Sequence, residues 1–105
     1  MQLHIVLMAF HATPSDELQQ HIDTAFRRMP ALCEGLLRYE LVKNHSSTSA
    51  QYSHALLSVF ASPGHLSAYR VSPEHDALMQ LLKPHVREIV VLDTPWPASL
   101  STLPA

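Results

Sequence analysis

The chain has 105 residues, 47% hydrophobic and only 15% charged, with a net charge of -2, a balance that suits one domain with an apolar core and leaves too little chain for two. Arg27-Arg28 is the only adjacent basic pair, so there is no patch of the kind that neutralises phosphates, and nucleic acid is not an expected partner. Cys33 is the single cysteine, which excludes an internal disulfide and leaves no CxxC pattern for redox or zinc chemistry.

The opening segment from Leu3 to Phe10 is an almost continuous apolar run interrupted by His4, the pattern of a strand buried on both faces. Alternation puts His4 on one face with Val6, Met8 and Phe10. The segment lacks a basic lead and is too short for a secretory h-region or a membrane span, so the reading is cytosolic. Thr13-Pro14-Ser15-Asp16 supplies a hydroxyl cap, a first-turn proline and an acid for a helix start. Leu18, Ile22, Ala25, Phe26 and Met29 then form one apolar stripe, and Pro30 is expected to end the helix.

Beyond Gly35 the residues Leu36 to Val42 alternate, with Leu37, Tyr39 and Leu41 expected on one face. The polar run Asn44 to Gln51 reads as a mobile hairpin loop. A third strand is expected over Tyr52 to Ala61, with His54, Leu56, Ser58 and Phe60 on a common face. Ser62-Pro63-Gly64 opens a short helix through Tyr69 and Arg70, and Ser72-Pro73-Glu74 opens a second that runs to about Lys83. Pro84 stops it, Val86 to Leu92 reads as a fourth strand ending at Asp93, and Thr94 onward reads as irregular.

The order β-α-β-β-α-β predicts an α+β domain of ferredoxin-like topology, a four-stranded antiparallel sheet with helices on one face, over residues 1–94, followed by a proline-rich tail over 95–105. A sheet covered on one side only leaves an apolar face, and packing two copies sheet to sheet closes it, so a homodimer is expected. Trp96 on the tail is the expected anchor on the partner.

Histidine is over-represented, with eight residues. His4 and His54 fall on like faces of strands that neighbour each other in this topology, and Tyr69 and His75 fall on the helices above that face. A phenol and an imidazole facing one cavity are the equipment for removing a proton beside a carbonyl while holding its oxygen. Ser72 as cap puts His75 at the third helical position, where the positive helix end favours the neutral imidazole. The alternative is that these histidines hydrogen-bond one another and the backbone and only fix the helices on the sheet. A metal held by His4, His54 and His75 lacks short ligand spacing, and no metal or cofactor is expected. With only Gly35 and Gly64, no nucleotide loop is present, and there is no nucleophile elbow. His11, His21, His45, His65 and His85 are assigned to the solvated surface.

Three stretches, His4-Ile5-Val6-Leu7, Tyr52-Ser53-His54-Ala55-Leu56 and Tyr69-Arg70-Val71-Ser72-Pro73-Glu74-His75, together with the closing Val90-Val91-Leu92-Asp93, resemble the stress-responsive A/B barrel (Dabb) family of dimeric α+β barrels. The resemblance spans about residues 2–94 and implies a homodimer. A plant polyketide cyclase of that family uses a tyrosine and histidines at this constellation. The resemblance therefore implies catalytic roles for Tyr69 and His75 and substrate contacts for His4 and His54, in a cofactor-free cyclase or isomerase acting on a small carbonyl compound. Ser72 departs from the histidine that family members often carry before the proline. Two other functions fit the same fold: a non-catalytic dimeric stress or assembly protein, and a monooxygenase of the dimeric α+β barrel type.

Overall fold

A computed structural model describes residues 1–100. In chain order these form β1 (Gln2–Phe10), α1 (Asp16–Leu32), β2 (Leu36–Lys43), β3 (His54–Phe60), α2 (Pro63–Arg70), α3 (Pro73–Leu82) and β4 (Val86–Pro95). The strands make one antiparallel sheet in the order β2-β3-β1-β4, with β1 and β3 central. This is the expected ferredoxin-like α+β fold.

The caps follow the sequence logic. Ser15, Ser62 and Ser72 each accept a backbone N–H three residues on, at Leu18, His65 and His75, each satisfying a donor that the helix itself leaves free. Ser72 also donates to the carbonyl of Tyr69 at 2.7 Å, so one side chain ends α2 and starts α3. Ile22, Phe26 and Met29 of α1, Leu66 and Tyr69 of α2, and Leu78 and Leu82 of α3 close over Met8, Leu56 and Phe60 of the sheet to form the core.

Several expectations change. Pro30 lies inside α1, which runs on to Leu32 with the Cys33 N–H donating to the Met29 carbonyl at 3.0 Å; one missing donor near the end of a helix is outweighed by packing of the stripe. In β2 the register slips between Leu36 and Arg38. This bulge puts Leu36 and Tyr39 on the buried side and leaves Leu37 43% exposed, so strict alternation misassigned Leu37. The loop after β2 is organised around Asn44, whose side-chain amide donates to the carbonyls of Ser49 and Tyr52. β4 continues through Thr94 and Pro95, paired with Leu3 and Gln2, because Pro95 sits at the end of an edge strand, where its missing donor costs little.

Trp96 turns back on its own chain, donating its N–H to the Met1 carbonyl at 2.8 Å and its indole N–H to the carbonyl of Leu100. The rest of the expected tail lies outside the described residues. His65 is not a solvated residue: half-buried, it bonds Ser62 Oγ and packs over Gly35. Gly35 has φ 76°, and a Cβ there would come within 2.2 Å of the imidazole, so both backbone and space call for glycine. His85 is half-buried as well. Among the described residues no helix is long and apolar enough to cross a membrane.

Candidate functional site

Even-numbered residues of β1 face the helices. His4 therefore stands between Ser58 of β3 and Asp93 of β4, its two register partners. Ser58 is fully buried and donates to the His4 carbonyl at 2.6 Å, fixing the strand beneath the imidazole. β4 is the edge of the sheet, and its helix-side residues Ile89 and Val91 stay 51% and 45% exposed. A cavity of about 800 Å³ results, lined by α3, β1 and β4, a size that suits a small-molecule ligand. Its walls are mainly apolar, with Val6, Met8, Leu78 and Met79 among them.

His4, Tyr69 and His75 all line this cavity. The rings of Tyr69 and His75 meet edge to face at 4.7 Å, and those of His4 and Tyr69 at 6.2 Å. His54 does not join them. It shares their face of the sheet, but its register partner on β1 is Met8 rather than His4; four residues along a strand is about 13 Å. The expectation that the four side chains meet is corrected accordingly, because alternation fixes the face of a residue and not its height. His54 is buried against Phe10, with ring centroids 4.7 Å apart. It pairs with Gln19 Oε1 at 2.8 Å and Ser53 Oγ at 2.7 Å, and so ties β3 to α1. Burial, followed by the charge of Lys43, holds its pKa below the ordinary value, so this clamp is neutral.

Three further residues complete the polar part of the cavity. Asp93 accepts from His4 Nδ1 at 2.5 Å through Oδ1 and from Arg70 through Oδ2. Burial alone would raise the Asp93 pKa, but the hydrogen bond from His4 and the charges of His4 and Arg70 hold it below the usual value. With Nδ1 taken by the carboxylate, Nε2 is the His4 ring nitrogen not engaged by Asp93. Tyr39 and Tyr69 share a hydrogen bond of 2.7 Å between their hydroxyls. Burial pushes the Tyr69 phenol up to about 12 and that of Tyr39 higher still, so both keep their protons. One proton fills the bond between them, and the other is free for a ligand oxygen. Burial, then the neighbouring His4, lowers the pKa of His75, which makes it a neutral base near pH 7.

Sequence reasoning missed Tyr39, Arg70 and Asp93 as site residues. The one available signal was Asp93, an acid closing an apolar strand beside the N-terminal strand of the same sheet. Tyr39 shares its face with Leu41 as alternation expects, but alternation gives no sign that this face turns toward the helices. Among the described residues no three His, Cys, Asp or Glu side chains gather as a metal-binding group.

The profile of the family described as Stress Responsive A/B Barrel Domain matches residues 3–95. Among solved structures, a dimeric ferredoxin-like protein from Bacteroides fragilis is similar at 21% identity and TM-score 0.75, covering 90% of this chain and 95% of that one. An Arabidopsis thaliana protein matches at 19% identity and TM-score 0.81, over 92% of this chain and 96% of its own. The hydroxynitrile lyase of Passiflora edulis matches at 18% identity and TM-score 0.80, over 98% and 96%. The sequence finds no match among curated proteins.

Proposed function

The chain belongs to the stress-responsive A/B barrel domain family, and from that premise we propose that its cavity is a cofactor-free site for proton transfer on a small carbonyl compound. The observation that carries the reading is the edge-to-face contact of His75 and Tyr69 at 4.7 Å on the wall of a largely apolar cavity. A carbonyl oxygen seated on the Tyr69 hydroxyl would put the carbon beside it near the His75 imidazole. His75 takes the proton from that carbon, and the phenol donates to the oxygen as enolate charge develops. Tyr39 supports the phenol from behind. The His4-Asp93-Arg70 chain forms the adjoining rim, where Asp93 orients the imidazole. Ring closure by an aldol or Claisen-type step, or a simple isomerisation, would use the same groups.

The site needs a closed sheet behind it, and the apolar face opposite the helices supplies the means. Leu57, Val90 and Leu92 lie there, 41%, 43% and 53% exposed, beside Ile5, the register partner of Leu57 and Leu92. Two copies packed through this face would form a homodimer, the state named for the Bacteroides fragilis relative. The Passiflora edulis protein, described as a hydroxynitrile lyase, adds a precedent for a lyase on this fold.

Exchange of the α-hydrogens of methyl octyl ketone with deuterated water, followed by proton NMR, tests the enzymatic reading. Catalysed exchange is expected, and a rate no faster than buffer would rule it out for this compound class.

A further inference from the structure

The cavity is polar at one end only in its uncharged groups, while its ionic groups are spread along its length. Arg70 and Asp93 stand at the end that holds His4, Tyr69 and His75, and they are bonded to each other. Lys83 lines the opposite end, just beyond the last turn of α3 and beside Val86. Among the described residues Lys83 has no carboxylate within ion-pair distance, since the only ion pairs are those of Asp93 with His4 and Arg70. The cavity lining therefore carries two fixed cations against one carboxylate, and the unneutralised cation is Lys83.

Two rulers give the distance between the ends. His75 and Lys83 are eight residues apart along α3 and its cap, about 12 Å at 1.5 Å per residue. Asp93 and Ile89, which both line the cavity on β4, are four residues apart, about 13 Å of strand. Between the ends the walls are Val6, Met8, Met79 and Val91, which offer contact to an alkyl chain and no hydrogen bond. On the proton-transfer reading of the His75 end, we infer that the cavity selects carbonyl compounds whose apolar chain ends in an anionic group, with the carbonyl at Tyr69 and the anion on Lys83. Lys83 is exposed at the cavity mouth, so its attraction for the anion is modest and screened by salt.

Calorimetric titration of the whole protein tests this with two compounds of one length: methyl octyl ketone, and the keto acid in which the far end of the same chain is a carboxylate. The keto acid is expected to bind about fivefold more tightly, the upper scale of an exposed ion pair. That ratio should fall toward one in Lys83→Met, which keeps the aliphatic stem, and in high salt. It should persist in Arg87→Met, which removes an exposed cation that does not line the cavity. Equal affinities in the wild type, a ratio unchanged by Lys83→Met, or no binding of either compound would each overturn the inference. α-Hydrogen exchange of the neutral ketone is read separately. Exchange without a carboxylate preference leaves proton transfer standing and removes the role of Lys83, and preference without exchange does the opposite.

Discussion

The hydroxyls of Tyr39 and Tyr69 stand 2.7 Å apart in the buried wall of the cavity, although one comes from the middle of β2 and the other from the last turn of α2. Two phenols that share one hydrogen bond retain a single free proton; when Tyr39 is the donor that proton belongs to Tyr69, whose ring meets that of His75 edge to face at 4.7 Å. Tyr69→Phe is therefore expected to lower kcat by about a hundredfold or more, the usual cost of an oxyanion donor. Tyr39→Phe removes only the support, so it should cost less rate and about 1 kcal/mol of stability. Rates and urea unfolding of the two variants check this; equal rate losses would place both phenols on the substrate.

Asp93 holds His4 on one oxygen and Arg70 on the other. Asp93→Asn keeps the shape and removes the charge. It should lower stability by about 1–2 kcal/mol, since the buried His4 ring loses a charged partner while Arg70 is already half in water. Chemical denaturation measures the change, and an unaltered midpoint would show that the imidazole finds an equal partner elsewhere.

The stability of the fold should fall on mild acidification. His54 and His75 both have folded-state pKa values below the ordinary 6.5, so the unfolded chain takes up protons that the folded chain refuses. Their contribution is complete above about pH 6.5 and is lost progressively as pH falls through that value toward the folded-state pKa values. Asp93, lowered in the fold, adds a further loss at more acidic pH, as it becomes protonated. Melting temperature between about pH 7.5 and about pH 5.5 should drop, and the slope should flatten in His54→Gln, which keeps a polar contact to Gln19 and cannot titrate. A melting temperature that rose over this range would contradict the assignment.

Leu57 lies on an inner strand at the middle of the open face, opposite Glu40 of β2 and Ile5 of β1. In Leu57→Lys the ammonium can pair with Glu40 in an isolated chain but is stranded between two packed sheets. The variant should stay folded and scatter light as a monomer. A dimer of unchanged affinity would move the interface to another surface.

The sheet was legible because its signals are local. Apolar runs, serine caps and prolines at first helical positions fixed element order, and topology followed from order. The site was legible in part, through His4, Tyr69 and His75, whose face and helix position follow from counting. His54 passed the same count and lies about 13 Å away along the strand, since height depends on register between distant segments. Tyr39 and Leu41 share a face as alternation expects, but which face of β2 meets the helices depends on its pairing with β3, and the bulge that turns Leu37 out leaves no mark in composition. Arg70 and Asp93 mark in the sequence only the end of a helix and the end of a strand; the β1-β4 pairing, made by segments at opposite ends of the chain, brings Asp93 against His4.

On the proton-transfer reading, His75 moves a proton rather than holding the fold. The most direct test is α-hydrogen exchange of methyl octyl ketone by the wild type and His75→Ala, with the melting temperature of each recorded in the same buffer. The wild type is expected to exceed buffer and His75→Ala to lose on the order of a hundredfold or more in rate, while melting within a few degrees of the wild type, as befits a half-buried side chain. A wild type no faster than buffer, together with a His75→Ala variant that melts far lower, would leave His75 as a structural residue with no part in proton transfer.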